Sequence, residues 1–340
     1  MSQRAAIVGT GYVARVHAFA LRELGVSVAA VCGRSTTRKL ADELDATPYD
    51  DLARLLETER PDVLHVCTPN AAHSEQTLLA LEHGCHVVCE KPLAVSSAEA
   101  TEMAEAAARA GVVAACCYHC RGYPLVQRMR EAIASGALGE VNAVHGRYAC
   151  DDVHLMPTGW RYEPAAAGPS YVVGDLGTHW LDLAEHVTGL RVAEIFAEFA
   201  GEPLESYAVL LLRFEGGAAG SVVLTAGAAG RKNQLLFECE ASKGGLTWDQ
   251  EEPNALLARD AVGPSRILLK EGGPLARYPA GHAEGYGDAF RNVFAEVYKA
   301  IRGEPHERFP NFADGARGVA AVEAAVKSAR EGRWVAVAVA

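Results

Sequence analysis

The stretch Ala5-Ala6-Ile7-Val8-Gly9-Thr10-Gly11-Tyr12-Val13-Ala14 carries an apolar run straight into a glycine-rich turn. The residues after it, VARVHAFALREL, space their apolar side chains at helical period. Strand, G-x-G-x-x-A turn and helix, in that order, form the context that binds a dinucleotide. Gly9 permits the tight turn, Gly11 lets the backbone approach a pyrophosphate, and Ala14 lets helix and strand pack closely. The helix N-terminus then faces the anion. Thr10, Tyr12 and Val13 complete the turn and are expected beside the cofactor.

The alternation continues. VSVAAVCG, DVLHVCTPN, HVVCEKP and VVAACCYH read as strands, separated by helical patterns such as HSEQTLLALEHG and SSAEATEMAEAAARAG. Strands and helices in turn predict right-handed βαβ units and a parallel sheet. The strands are nearly all apolar, as expected when both faces are covered. The pattern changes near Arg121. Long strand-like runs then dominate, among them VAEIFAEFAG, SYAVLLLRFEGG and NQLLFECEAS, and two helices close the chain. The expectation is an α/β protein of two domains. Residues 1–121 form a Rossmann-type dinucleotide-binding domain, and residues 122–340 an α+β domain for substrate binding and oligomerisation, with a large, mostly antiparallel sheet.

The 340 residues carry a net charge of −11. That disfavours nucleic acid and anionic membrane as partners, since both demand cationic patches. No signal peptide and no apolar run of transmembrane length is apparent. Nine cysteines, an odd number scattered through apparent strands, fit reduced thiols in the cytoplasm. Cys117 and Cys120, with His119 between them, have zinc-like spacing. No second cysteine pair follows to complete four ligands, so no metal is expected.

The acid that would hold the ribose 2′-OH is expected at the end of the second strand. The chain has Gly33, Arg34, Ser35 and Thr36 there. Arg34 can pair with a 2′-phosphate or stack on adenine, which favours NADP over NAD. Alternatively it is a solvated arginine before a helix N-cap. Further on, GDLGTHWLDLAEHVTG places Asp175 and His179 one turn apart if it is helical. An N-cap aspartate beside a satisfied core histidine is one bland reading of this pair, and half of a metal site is another.

Glycine fingerprint, Thr68-Pro69-Asn70, Glu90-Lys91-Pro92 and the D-x3-H segment, in this order and spacing, resemble the Gfo/Idh/MocA family of NAD(P)-dependent sugar and polyol oxidoreductases. The resemblance spans nearly the whole chain, including the closing DGARGVAAVEAAVKSAREG. It implies Lys91 and His179 as the catalytic pair, with Asp175 assisting. It implies that Thr68, Pro69, Asn70, His73 and Glu90 line the cofactor cleft, and that Trp160 and Arg161 sit near nicotinamide and substrate. Two departures bear on cofactor choice and pocket shape. AGPSYVVGDLG lacks the family's triple glycine, and the second-strand acid is missing.

The chemistry agrees with the resemblance. Oxidising a secondary alcohol removes a hydride from carbon and a proton from oxygen. A histidine is a suitable base near neutral pH, and a lysine ammonium stabilises a developing alkoxide. The expected substrate is a sugar, cyclitol or sugar derivative. Candidate pocket residues are His119, Arg121, Tyr123, Asp151, Asp152, His154 and Tyr286, beside Lys91, Asp175 and His179. Two other functions share the fold: a glycosidase that oxidises its substrate transiently, and a sugar-responsive regulator without chemistry. A homodimer or homotetramer is expected from the partly apolar outer face of runs such as SYAVLLLRF.

Overall fold

A computed structural model describes residues 3–155, 158–273 and 275–338. The chain divides into two compact units. The first comprises residues 1–119 and 286–316, the second residues 120–285 and 317–340. Residues 286–316, assigned by sequence pattern to the second domain, therefore pack with the first.

In the first unit, strands β1 (Arg4–Val8), β2 (Ser27–Cys32), β3 (Thr47–Tyr49), β4 (Val63–Val66), β5 (His86–Cys89) and β6 (Ala114–Cys116) form one sheet in the order β3-β2-β1-β4-β5-β6. Every neighbouring pair is parallel. The strands alternate with helices α1 (Tyr12–Glu23), α2 (Thr37–Leu44), α3 (Leu52–Glu59), α4 (His73–Glu82) and α5 (Ser97–Ala110). The strand order reverses between β1 and β4, and open parallel sheets bind ligands outside the carboxyl ends at such a point. β1 and β4 are buried at nearly every position, which is why their apolar runs are continuous.

Gly9 follows β1 with φ +106°, and a Cβ there would meet the Cys67 carbonyl oxygen at 2.3 Å. Both the backbone angle and the close approach of the two strand ends require glycine. One core of this unit joins Ala14, Ala18 and Leu21 of α1 to Phe290, Val293, Phe294, Val297 and Tyr298. Those five lie on a late helix, Tyr286–Ile301.

The second unit holds helix α6 (Pro124–Ala134), strand β7 (Val141–Ala149), the one-turn helices α7 (Asp152–Leu155) and α8 (Pro164–Ala167), and helix α9 (Thr178–Thr188). Strands β8 (Val192–Ala200), β9 (Tyr207–Phe214), β10 (Ala219–Thr225), β11 (Gln234–Ala241), β12 (Gly244–Asp249), β13 (Ala255–Asp260) and β14 (Arg266–Leu269) follow. The late helix Tyr286–Ile301 is α10; α11 (Phe312–Glu331) and β15 (Val335–Ala336) end the fold. The nine-stranded sheet has the order β14-β13-β12-β11-β7-β10-β9-β8-β15. Only β7 and β10 pair in parallel.

One face of this sheet is buried, with Ala208, Leu210, Leu212 and Phe214 of β9 pointing inward. α9 lies on it through Trp180, whose indole N–H donates to the Leu236 carbonyl at 3.0 Å. Gly146 makes room for that contact, since a Cβ would stand 2.3 Å from Trp180 Nε1.

Candidate active site

The first unit gathers its sequence-predicted residues at the carboxyl ends of β1, β4 and β5. Gly11 is the N-cap of α1, no side chain caps this helix, and no acidic residue stands in its first turn. A Cβ built on Gly11 would meet nothing within 4 Å. An uncapped helix start with open space before it suits a pyrophosphate, whose charge the unpaired N–H groups and the helix dipole favour. Tyr12 is 73% exposed beside it. The turn thus fits the dinucleotide the fingerprint implies.

β2 ends at Cys32, so Gly33 occupies the place of the expected acid. Arg34, Ser35 and Thr36 are exposed. Thr36 Oγ1 donates to Thr10 Oγ1 at 2.7 Å, tying the loop after β2 to the glycine turn. After β4, Thr68 Oγ1 donates to Gln76 at 2.7 Å, and Asn70 is buried. His73 is buried, with Nδ1 2.9 Å from the Pro92 carbonyl and Nε2 2.9 Å from the Thr68 carbonyl. Its ring braces the two loops against each other. Burial pushes its pKa down, against the pull of the carbonyl acceptors.

Lys91 follows β5 and is half-buried. Glu90 is buried: its Oε1 lies 2.9 Å from His17 Nε2, and its Oε2 accepts the Lys91 backbone N–H at 3.2 Å. Burial pushes the Glu90 carboxyl up, but the bond to His17 and the charge of Lys91 outweigh it, and the net shift is downward. His119 stacks on Phe290 at 4.8 Å and meets Tyr286 edge-on at 4.9 Å.

In the second unit the segment before α9 is wound as a π-helical turn, Val173–Gly177. Asp175 lies in this turn and His179 in α9, so the regular helical spacing read from sequence does not hold between them. Turns of this kind are frequent at functional sites. Asp175 pairs with Arg161 at 3.2 Å, and the Arg161 guanidinium lies 4.7 Å from the Trp160 ring. Asp152 belongs to the same group, its carboxyl pushed up by burial and by the charge of Asp175. His179 is buried, its ring 6.2 Å from that of Tyr148.

Glu205, in the loop between β8 and β9, anchors the start of this segment. It accepts from the Ser170 hydroxyl and from the backbone N–H groups of Tyr171 and Val173, both at 3.2 Å. Nothing in the sequence around Glu205 marks this role. Other candidates meet protein groups of the second unit. Arg121 makes a buried two-pronged pair with Asp182 of α9, at 2.9 and 2.5 Å. Tyr123 is buried against Trp248 at 5.1 Å. Asp151 accepts from Lys232 at 2.5 Å, and His154 is exposed, 3.3 Å from the Gly227 carbonyl.

Comparison with known proteins agrees with this geometry. Residues 3–118 match the oxidoreductase-family model with an NAD-binding Rossmann fold, and residues 126–247 match the Gfo/Idh/MocA C-terminal domain model. An uncharacterized oxidoreductase of Bacillus subtilis, YfiI, is 31% identical over 81% of this chain and 77% of its own. The chain belongs to the Gfo/Idh/MocA family. It is an oxidoreductase of that family. The levoglucosan dehydrogenase of Pseudarthrobacter phenanthrenivorans is 29% identical over 80% of this chain and 79% of its own. The crystal structure of an inositol dehydrogenase homolog from Azotobacter vinelandii, complexed with NAD+, superposes with a TM-score of 0.92 at 32% identity. That match covers 99% of this chain and 97% of the other. Among the described residues, no helix is long and apolar enough to cross a membrane.

Proposed function

We propose that this Gfo/Idh/MocA oxidoreductase transfers a hydride between a nicotinamide cofactor and a secondary hydroxyl, or the matching ketone, of a sugar, cyclitol or sugar derivative. The observation that carries the reading is Lys91. It leaves the carboxyl end of β5 in the sheet that carries the dinucleotide turn, in a chain whose relatives include a levoglucosan dehydrogenase and an inositol dehydrogenase homolog.

When bound, a nicotinamide would supply the acceptor for the hydride leaving carbon, or its donor in the reverse direction. The chain's own groups handle the oxygen. The Lys91 ammonium holds it and stabilises the negative charge that develops there. His179 takes the hydroxyl proton, leaving a carbonyl and a protonated imidazole. Asp175, paired with Arg161, assists His179. In this reading Arg161 and Trp160 border the substrate, and Asp152 holds one of its hydroxyls.

The absence of an acid after β2, with Arg34 exposed in its place, supports NADP as the tighter cofactor. Arg34→Ala is expected to weaken NADP about tenfold and NAD less than about twofold, the loss of one charge-assisted contact to a 2′-phosphate. Arg34 is a cleaner probe than Gly33. A Cβ at Gly33 would stand 2.7 Å from Thr10 Cγ2 and 3.0 Å from Thr37 Oγ1, so an aspartate there disturbs the turn as well as the charge. Titration calorimetry showing that the wild type prefers NAD overturns this cofactor choice.

The function itself is tested by a panel of sugars, cyclitols, glycosides and sugar derivatives with either cofactor. Absorbance should rise in the reduced-nicotinamide band with at least one of them. Cleavage of a glycoside without net cofactor reduction points to the glycosidase reading. Ligand binding without turnover points to a regulator.

A further inference from the structure

Behind Lys91 a row of buried polar side chains runs through the first unit. The Tyr298 hydroxyl lies 3.1 Å from His65 Nε2. His65 Nδ1 lies 2.9 Å from His17 Nδ1, and His17 Nε2 lies 2.9 Å from Glu90 Oε1. His17 and His65 are fully buried, and Tyr298 is 1% exposed. Phe294 packs edge-on against both imidazoles, at 4.7 and 5.1 Å, and Phe290 lies 5.7 Å from His17. A metal does not account for the arrangement. His17, Glu90 and Cys117 offer ligand atoms within 4.8 Å of one another. But 2.9 Å between His17 and Glu90 is a hydrogen-bond distance, whereas two ligands on a tetrahedral zinc at ~2.0–2.1 Å stand roughly 3.4 Å apart.

The row has a direction. Among the described residues, the Tyr298 hydroxyl bonds to His65 alone. Were it to accept from His65, its own proton would be buried with no acceptor, an arrangement buried polar groups avoid. Tyr298 therefore donates to His65 Nε2. A neutral imidazole carries one N–H, so the His65 proton is on Nδ1 and is donated to His17 Nδ1. The His17 proton is then on Nε2, donated to Glu90. Both imidazoles are neutral, each ring nitrogen is satisfied, and the row ends on an anion.

The groups around it agree. Burial pushes the His65 pKa well down and the Tyr298 hydroxyl well up. Cys67 Sγ lies 3.4 Å from His17 Nδ1, and Cys117 bonds to Glu90. Burial pushes both thiols well up, so they keep their protons and add no negative charge.

We propose that Tyr298, His65 and His17 are positioning residues for Lys91: a one-way row of hydrogen bonds that keeps Glu90 ionised, so that a carboxylate stays beside the lysine. Reversing the row puts a proton on Glu90 and strands the Tyr298 proton, so the far hydroxyl resists neutralisation of the carboxylate. This rests on the reading of Lys91 as the group that holds the reacting oxygen.

Nitrogen NMR of protein labelled with 15N-histidine, with His17 and His65 assigned from single variants, tests the row without catalysis. The wild type is expected to show His65 protonated on Nδ1 and His17 on Nε2, unchanged in Lys91→Ala. In Tyr298→Phe the ionised Glu90, which only accepts, still holds the row at neutral pH, but its protonation no longer strands a hydroxyl proton. The switch of both histidine tautomers as pH falls, and the acid limb of the kcat profile, should each move up by about one pH unit, because Glu90 protonates more easily. A purely structural Tyr298 would lower stability and leave the limb in place. A wild-type His65 protonated on Nε2 at neutral pH, or a Tyr298→Phe protein whose tautomer switch and acid limb lie where those of the wild type do, overturns the proposal. If the tautomers are as expected while Lys91→Ala turns over normally, the row stands as structure and its link to catalysis fails with the Lys91 reading.

Discussion

Glu90 in the first unit and Glu205 in the second are both buried, and each holds the start of a segment that carries a proposed catalytic residue. They titrate in opposite directions. Glu205 accepts from three neutral donors, yet burial outweighs them and its pKa is raised. Glu90 is buried as well, but the bond to His17 and the charge of Lys91 bring it below the ordinary value. The number of donors does not set the sign. A neighbouring positive charge changes the balance between burial and solvation in a way that neutral donors do not. Glu205 thus holds backbone in place, whereas Glu90 also holds a charge.

The strongest test asks whether the residues these carboxylates support belong to one task. Lys91→Ala and His179→Ala are each expected to lower kcat by ~10² or more, the scale of removing a charge-stabilising group or a general base. The double variant should be little worse than either, since both act on one proton transfer. Steady-state kinetics giving near-wild-type turnover for either, or fully multiplicative losses, breaks the pairing. Next in size, Glu205→Ala leaves a hydroxyl and two backbone N–H groups without their acceptor. It should cost roughly 3 kcal/mol or more in urea unfolding, at ~1–3 kcal/mol for each of the three buried donors left unpaired. A loss below about 0.5 kcal/mol would mean that water replaces the carboxylate.

The smallest effect separates the two glutamates directly. The folded-state pKa of Glu90 is lowered from 4.5. Its contribution is therefore present above that value and lost as pH falls through the folded pKa. Glu90→Gln should flatten the acid side of the stability curve. The pKa of Glu205 is raised from 4.5, so its contribution is complete below that value and lost as pH rises through the folded pKa. Glu205→Gln should flatten the curve on the other side of 4.5. Urea midpoints measured from about pH 3 to 8 should show slope changes of up to ~1.4 kcal/mol per pH unit, on opposite sides. Changes on the same side would erase the distinction.

The dinucleotide turn was legible because its determinants are local. Glycines, an apolar strand and a helix start sit within one short stretch, and no distant contact is needed to interpret them. The two-sheet architecture followed from hydrophobic period for the same reason. Longer-range choices were not legible. An amphipathic helix at 286–301 announces a face that needs cover but not which unit supplies it. The π-turn around Asp175 inserts an offset that helical spacing does not reveal. Arg121 and Tyr123 read as pocket residues from their residue types, and the sequence does not reveal their contacts with Asp182 and Trp248. His17 and His65 did leave a trace, as lone polar residues in otherwise apolar stretches of helix and strand.

The return of residues 286–316 to the first unit has a consequence for biosynthesis. The chain emerges from the ribosome in order, so the sheet strands of this unit are made early and the helix bearing Phe290, Phe294 and Tyr298 comes late. At about 5–20 residues per second, residues 120–285 take roughly ten to thirty seconds to appear. Throughout that interval α1 lacks the apolar partners that will bury Ala18 and Leu21, and His17 and His65 have no rings packed over them. The nascent first unit is therefore an incomplete globule with an open greasy face. That face stays uncovered until the second unit has been synthesised and the closing helix arrives.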